Sequence, residues 1–170
     1  MRRGTAWSDN EVTDNRIPTL YDWAGGMPAL TRLTEAFYRK VKADELLGPV
    51  FAQMDARHPQ FVAQFIGEVF GGPTAYSEQR GGHAHMIRQH LEKHLSEPKR
   101  RRWVSLLLET ADEVGLPDDP EFRSAFVGYI EWGTRIAVIN SQPGVKVEAE
   151  QPMPQWGWGE TKGPYNPPQN

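Results

Sequence analysis

Between residues 19 and 142 the chain reads as a series of amphipathic helical segments separated by glycine and proline. Apolar side chains recur there at three- and four-residue intervals, as at Phe61, Phe65 and Val69, which is the spacing of one helix face. Gly25-Gly26 and Gly48-Pro49 interrupt neighbouring segments, because glycine and proline disfavour a continuous helix. No segment alternates apolar and polar residues with a period of two. The pattern therefore predicts an all-α fold.

The same glycines and prolines, together with capping residues, predict where the helices begin and end. The predicted helices begin near Leu20, at Pro28, near Pro59, near Met86, at Pro98 and after the Asp119-Pro120 cap. The segment around Tyr76 is predicted to be a loop, since Gly71-Gly72-Pro73 precedes it and Gly81-Gly82 follows it. The helix that starts near Met86 is predicted to reach His94.

Irregular arms are predicted on both sides of this helical domain. Residues 1–18 are polar and aperiodic, and residues 143–170 hold six prolines and four glycines. The C-terminal arm also carries Trp156, Trp158 and Tyr165, whereas disordered tails are usually poor in aromatic residues. We therefore expect it to lie against the core or against a second protomer in a homodimer. The alternative is a loosely held tail.

Composition excludes several classes of protein. The 170 residues suit one domain, and the absence of cysteine excludes disulfides, zinc thiolates, iron–sulfur clusters and thiol catalysis. A net charge of −3 gives no electrostatic reason to bind nucleic acid. No apolar run is long enough to span a membrane, and residues 1–9 do not resemble a secretory leader. A cytoplasmic protein is expected.

Histidines carry the candidate chemistry. Four of the five, His83, His85, His90 and His94, lie within twelve residues, whereas His58 is separate. His90 and His94 could share a helix face, and His83 and His85 could chelate, but the metalloprotease motif of two histidines and a glutamate is absent. The simpler interpretation places His83, His85 and His94 on a solvated surface.

His90 differs because aromatic residues from several segments could form a cavity opposite it. These aromatic residues by themselves are more often core than a cofactor pocket. Tyr38 and Trp103, however, carry polar groups that need partners when buried. A cavity with those two groups on one side and one histidine on the other suits axial ligation of haem iron.

The order of these residues resembles the truncated haemoglobins, the second group of that family in particular. The resemblance extends from about Leu20 to Asn140. Its matching pieces are Tyr21-Asp22 with Gly25-Gly26, Phe37-Tyr38, Val50-Phe51, Gly71-Gly72-Pro73, the run from Tyr76 to Gly81, His90, and Trp103 thirteen residues later. The resemblance implies a two-over-two helical sandwich around haem b.

Roles for individual residues follow from the resemblance. It implies that His90 is the proximal iron ligand and that Tyr38 and Trp103 donate hydrogen bonds to a ligand on the distal side. His58 falls at the distal gate, where it either faces outward or binds iron as a second axial ligand. The residues expected to line the haem or hold its propionates are Phe51, Val62, Phe65, Val69, Tyr76, Arg80, Met86 and Arg88.

Two departures from the family pattern bear on the proximal side. The family usually has Arg-His followed by a Pro-Phe pair near the ligand, whereas this chain has Gln89-His90-Leu91, and an extra glycine precedes His83. These differences leave His85 and His94 as alternative iron ligands.

The implied function is binding of O2, NO and CO at haem. A hydrogen-bonded distal pocket suits NO dioxygenation, peroxide chemistry or sensing better than bulk transport, and such chemistry would need a reductase. The alternatives are an electron-transfer protein with His58 and His90 as axial ligands and a haem-free helical interaction module. The basic run from Lys99 to Arg102 is either a solvated face or a docking site for an acidic redox partner.

Overall fold

The computed structural model describes residues 16–165, and this part of the chain contains α-helices and no strand. The predictions for residues 1–15 and 166–170 lie outside the described residues. The seven α-helices are α1 (Leu20–Ala24), α2 (Gly26–Ala43), α3 (His58–Val69), α4 (Ala75–Arg80), α5 (Gly82–His90), α6 (Glu97–Glu113) and α7 (Pro120–Asn140). Short 3₁₀ helices cover Gly48–Phe51 and Gly159–Thr161. The predicted all-α class is confirmed.

Four long helices form the core of the sandwich. Helix α2 packs against α3 and α6, and α6 packs against α7. The buried face of α2 repeats at three- and four-residue intervals through Leu30, Leu33, Phe37 and Val41, so the periodicity seen in the sequence is the face that meets α3 and α6. The start of α7 is also as predicted, because the Asp119 carboxylate accepts a hydrogen bond from the Phe122 amide at 3.0 Å.

The glycine pair after α3 allows the chain to pass close to α1. A Cβ on Gly72 would lie 2.6 Å from Cδ2 of Tyr21, a distance that real contacts do not show. The Tyr21 hydroxyl in turn accepts a hydrogen bond from the Met27 amide at 3.0 Å. Tyr21 therefore connects the starts of α2 and the turn after α3, and only glycine fits beneath its ring.

The predicted boundaries fail around α4 and α5. Residues 75–80 form a helix rather than a loop, and α5 begins at Gly82 and ends at His90 rather than at His94. Gly81, with φ 96°, separates the two short helices. Beyond α5 the His94 amide donates to the Ser141 carbonyl at 2.9 Å, so a tertiary contact replaces continued helix. His90 and His94 do not share a helix face.

The C-terminal arm lies against the core, as the tryptophans predicted. The Trp156 amide donates to the Val69 carbonyl at 2.9 Å, and the Trp158 indole donates to the Pro18 carbonyl at 2.8 Å. Trp158 is buried and meets the Trp23 ring edge-on. The division of the chain at residues 142 and 143 stays a prediction. None of the described helices is long and apolar enough to cross a membrane.

Candidate functional site

A cavity of about 450 Å³ opens between α3, α5, α6 and α7. A volume of this order is typical of pockets that hold a cofactor or a drug-sized ligand. Ten of the twelve residues predicted for the site line it. They are Tyr38, Phe51, His58, Val62, Phe65, Tyr76, Arg80, Met86, His90 and Trp103.

Two predicted lining residues lie elsewhere. Val69 is fully buried on the face of α3 that belongs to the core, and its carbonyl holds the Trp156 amide. Arg88 is exposed on α5, two residues before His90 and therefore on a different side of the helix. Neither residue borders the cavity, so these two expectations are wrong.

His90 presents one defined nitrogen to the cavity. It is the last residue of α5, and its Nδ1 lies 2.9 Å from the Met86 carbonyl one turn earlier. A carbonyl only accepts, so Nδ1 carries the proton and Nε2 keeps its lone pair. Nε2 has no hydrogen-bond partner among residues 16–165. Burial lowers the pKa of His90 against the opposing effect of the Met86 hydrogen bond, which favours the neutral ring. This is the arrangement that metal-ligating histidines adopt.

Tyr38 and Trp103 act together on another part of the wall. Tyr38 is 3% exposed, and burial raises the pKa of its hydroxyl, while a hydrogen bond with Trp103 acts in the opposite direction. A bond that favours the phenolate is one in which the indole N–H donates to the phenol oxygen. The Tyr38 hydroxyl hydrogen is consequently left for another acceptor. Trp103 thus lies beside the Tyr38 hydroxyl, and donation by both groups to a ligand stays a prediction.

His58 turns toward the cavity rather than outward. Its ring meets Tyr38 edge-on with centroids 4.7 Å apart and also lies 6.0 Å from the Phe51 ring. Burial lowers the pKa of His58 to about 4. His58 is therefore neutral at physiological pH, as its position at the start of α3 predicted. The outward gate orientation is not the one found.

The remaining histidines divide between cavity and surface. His94 is exposed and does not border the cavity, whereas His83 and His85 do. His83 Nδ1 lies 3.2 Å from the Pro152 carbonyl, and His85 Nε2 lies 3.5 Å from an Arg80 nitrogen. His90 is thus a half-buried histidine that borders the cavity and has one ring nitrogen without a hydrogen-bond partner among residues 16–165. Within residues 16–165, no three histidine or acidic side chains converge as a metal site.

Arg80 brings positive charge to the cavity. Its guanidinium lies over the Phe61 ring at 3.8 Å, and its Nε is buried without a hydrogen-bond partner in the described part of the chain. Buried donors are rarely left unpaired, so an orphaned donor at a cavity wall fits an anionic group from a ligand. Glu68, 4% exposed, accepts from both the amide and the hydroxyl of Ser77 and thereby anchors α4, which carries Tyr76 and Arg80.

The basic run is not an unpaired patch. Arg100 is 6% exposed and pairs with Glu97 at 2.6 Å and Glu131 at 3.2 Å. Arg102 pairs with Asp44 at 2.6 Å. Arg101 also pairs with Glu97 at 3.3 Å. Acidic residues therefore pair with three of the four basic residues of the predicted docking site, which weakens that interpretation.

Sequence reasoning missed the contribution of α7 to the cavity. One face of α7 carries Tyr129, Ile130, Gly133 and Ala137, and the structure places all four at the cavity. The periodic face was visible, but periodicity does not distinguish a face that meets another helix from one that borders a cavity.

Taken together, these residues fit haem. The cavity is apolar over most of its wall, one neutral imidazole offers a free nitrogen, and an arginine with an unpartnered donor suits a propionate. An all-α fold with this site is that of a haem protein.

Comparison with known proteins gives the family. The bacterial-like globin family model matches residues 19–128. The group 2 truncated haemoglobin of Bacillus subtilis is 29% identical over 117 residues, covering 69% of this chain and 86% of that protein. A group 1 truncated haemoglobin of Nostoc sp. is 33% identical over 97 residues, covering 52% and 82% respectively.

Solved structures agree with this assignment. The truncated oxygen-avid haemoglobin of Bacillus subtilis aligns with a TM-score of 0.64 and 28% identity over 71% of this chain and 99% of that one. A thermostable haemoglobin from Thermobifida fusca aligns with a TM-score of 0.63 and 28% identity, covering 71% and 97%. The chain belongs to the bacterial-like globin family and is a truncated haemoglobin similar to those of group II. It binds haem and, at the haem, diatomic gases.

Proposed function

We propose that this protein is a haem b globin that retains O2 tightly and serves reactions of the gas, namely NO dioxygenation or peroxide chemistry, or sensing, rather than bulk transport. The observation that carries the proposal is the pairing of one fixed, neutral histidine with a buried tyrosine whose hydroxyl hydrogen is free. His90 and Tyr38 border the same cavity, and each has its second polar interaction already satisfied by the protein.

The proximal side of the proposal rests on His90. Haem supplies an iron that binds diatomic gases and transfers electrons to them. His90 would hold that iron through Nε2, since Nδ1 is occupied by the Met86 carbonyl. Arg80 would hold a propionate, since its Nε lacks a partner and Phe61 fixes its plane. His85 stays close enough to Arg80 to share that role.

The distal side explains the proposed tight retention. A gas that gains negative charge in the cavity would accept a hydrogen bond from the Tyr38 hydroxyl. Trp103 would hold the phenol oxygen in place. Hydrogen bonds to charged groups contribute about 1.5–3 kcal/mol, and about 1.4 kcal/mol corresponds to a tenfold change in affinity. Removal of this donor should therefore accelerate gas release by roughly 10- to 100-fold. Slow release suits chemistry on the gas better than delivery of it.

A second candidate function is supported by His58. The ring is neutral and borders the same cavity as His90, which suits a second axial ligand in an electron-transfer protein. Its edge-on contact with Tyr38 supports the alternative role of holding the phenol.

Absorption spectra separate these candidates. We expect purified protein supplied with hemin to show a Soret band, and its ferrous form to be five-coordinate and to bind O2 and CO. In His58→Ala the ferrous spectrum should be unchanged. A six-coordinate ferrous spectrum that His58→Ala converts to five-coordinate would establish the electron-transfer alternative, and absence of a Soret band would contradict both haem functions. His94→Ala is the matched control, because His94 is exposed and outside the cavity.

Turnover of either reaction needs an external electron donor, and a reductase is the proposed partner. A homodimer and a cytoplasmic location stay predictions from the sequence.

A further inference from the structure

Three aromatic side chains connect the haem cavity to the protein surface. Tyr129, Trp132 and Trp156 contact one another, with centroid distances of 5.6 Å for Tyr129–Trp156, 5.9 Å for Trp132–Trp156 and 6.3 Å for Tyr129–Trp132. We call these three residues the aromatic cluster. Two belong to α7 and the third to the C-terminal arm, so the arm completes it.

The cluster has a buried end and an exposed end. Tyr129 is 5% exposed and borders the same cavity as His90. Trp132 lies at the rim of that cavity and is 38% exposed. Consequently a charge that leaves the cavity through these rings reaches solvent at Trp132.

Trp156 is held firmly in this cluster. Its amide donates to the Val69 carbonyl at 2.9 Å, and its ring lies over Gly128, where an added Cβ would be 3.6 Å from the indole. Edge-on and tilted ring pairs at these distances are favourable aromatic contacts. The rings are therefore held close together. A short separation is what the transfer of single electrons between them requires.

The chemistry of the residues points to oxidation. Indole and phenol are the aromatic side chains that lose one electron most readily, because nitrogen or oxygen stabilises the radical. The Tyr129 hydroxyl has no hydrogen-bond partner among residues 16–165, so hydrogen bonding does not explain this phenol at the cavity wall. Packing alone would be satisfied by phenylalanine.

We propose that the aromatic cluster conducts single electrons from the surface to the haem cavity, so that with hydrogen peroxide as oxidant Trp132 oxidises phenolic donors too large to enter the cavity. This inference rests on the proposed haem binding. It gives the C-terminal arm a function, since Trp156 lies closer to each of the other two rings than they lie to each other.

The reaction balances with the peroxide as the oxidant. Hydrogen peroxide takes up two electrons and two protons, its O–O bond breaks, and two molecules of water form. Trp132 supplies the electrons one at a time and loses its indole proton to solvent on each occasion. Each indolyl radical then takes a hydrogen atom from the O–H bond of a phenol. Two phenols become two phenoxyl radicals for each peroxide consumed.

The surface around Trp132 suits neutral donors. Glu131 and Arg135 flank it on α7 and pair with each other at 3.0 Å, so the charges beside the indole compensate. A cavity of about 450 Å³ that also holds haem leaves room for a small phenol at most, and a peptide is excluded. The accessible donor class is therefore the phenolic side chain of a peptide or a similarly bulky phenol.

Radical trapping tests the path itself. The haem-loaded protein, with its Soret band verified, is treated with hydrogen peroxide and a nitroso spin trap, and the labelled residues are located by peptide mass spectrometry. We expect the label on Trp132 and its loss from that peptide in Trp132→Phe and in Trp156→Phe. Tyr165 is an internal control, because it is 49% exposed and outside the cluster. Label on Tyr165 with none on Trp132 would overturn the proposal.

Donor size gives an independent readout. With a tyrosine-containing decapeptide as the donor, we expect kcat/KM to fall at least about tenfold in Trp132→Phe, and with hydroquinone to change less than about twofold. Trp158→Phe, which removes an indole outside the cluster, should leave both values unchanged. Equal losses for both donors, or none for the peptide, would overturn the proposal. Protein that lacks a Soret band would instead contradict haem binding, so the two failures are distinguishable.

Discussion

The Nδ1–H of His90 donates to the Met86 carbonyl at 2.9 Å, one helical turn earlier in α5. This bond selects the tautomer in which Nε2 is unprotonated, and His90, the last residue of α5, borders the cavity. A main-chain carbonyl thus orients the histidine that we propose as the proximal ligand.

Tyr38→Phe removes the proposed distal donor without changing the volume of the ring. We expect O2 dissociation from the ferrous protein to accelerate by roughly 10- to 100-fold, because one hydrogen bond to a charged group is lost. Stopped-flow displacement of O2 by CO measures this rate. Unchanged dissociation would show that Tyr38 does not donate to the ligand.

Trp103→Phe tests whether Trp103 works through Tyr38. The indole donates to the phenol oxygen, so its removal should accelerate O2 release less than Tyr38→Phe does. The double variant should match Tyr38→Phe alone, since residues that act through one another are not additive. Additive effects on the rate would instead mean that both groups contact the gas directly.

Gly72→Ala tests the close approach beneath Tyr21. An added Cβ would lie 2.6 Å from the ring, and overpacking of this kind costs about 1–3 kcal/mol of the free energy of unfolding. Urea unfolding of the apoprotein measures the loss. Gly157→Ala is the control, because nothing lies within 4 Å of a Cβ there. Equal stability of the two variants would contradict the packing described.

The stability of the apoprotein should depend on pH through His58. Its pKa in the folded state, about 4, lies below the ordinary value of 6.5, so the unfolded chain binds a proton more readily. Above pH 6.5 protonation of His58 does not reduce the free energy of unfolding. As the pH falls toward 4 the unfolded chain takes up the proton first, and the free energy of unfolding decreases by about 3 kcal/mol at most. His58→Phe should flatten this part of the profile in urea unfolding at successive pH values. A profile unchanged by the substitution would show that His58 is solvated.

Much of the fold could be predicted because the sequence signals of a long helix lie within the helix or next to it. The face of α2 and the Asp119 cap of α7 are encoded within a few residues. The short helices were predicted poorly because their ends depend on distant residues. His94 leaves the helix for a carbonyl on Ser141, and no pattern near His94 signals that contact.

The residues of the site could be predicted where a motif identifies them. The orientation of a side chain that depends on packing could not. His90, Tyr38 and Trp103 were identified through their order in the chain, and the structure brings all three to the cavity. The inward turn of His58 depends on the rings of Tyr38 and Phe51, which the sequence places twenty and seven residues away. The cavity wall supplied by α7 could not be recognised, because its face looks like core.

The central claim is that His90 holds haem through Nε2, and a hemin titration of His90→Gly tests it most directly. We expect the wild-type apoprotein to develop a Soret band and a five-coordinate ferrous spectrum, and His90→Gly to lose that ferrous spectrum. Added imidazole should restore it by occupying the vacated space. A His90→Gly spectrum identical to that of the wild type, with no response to imidazole, would contradict the account.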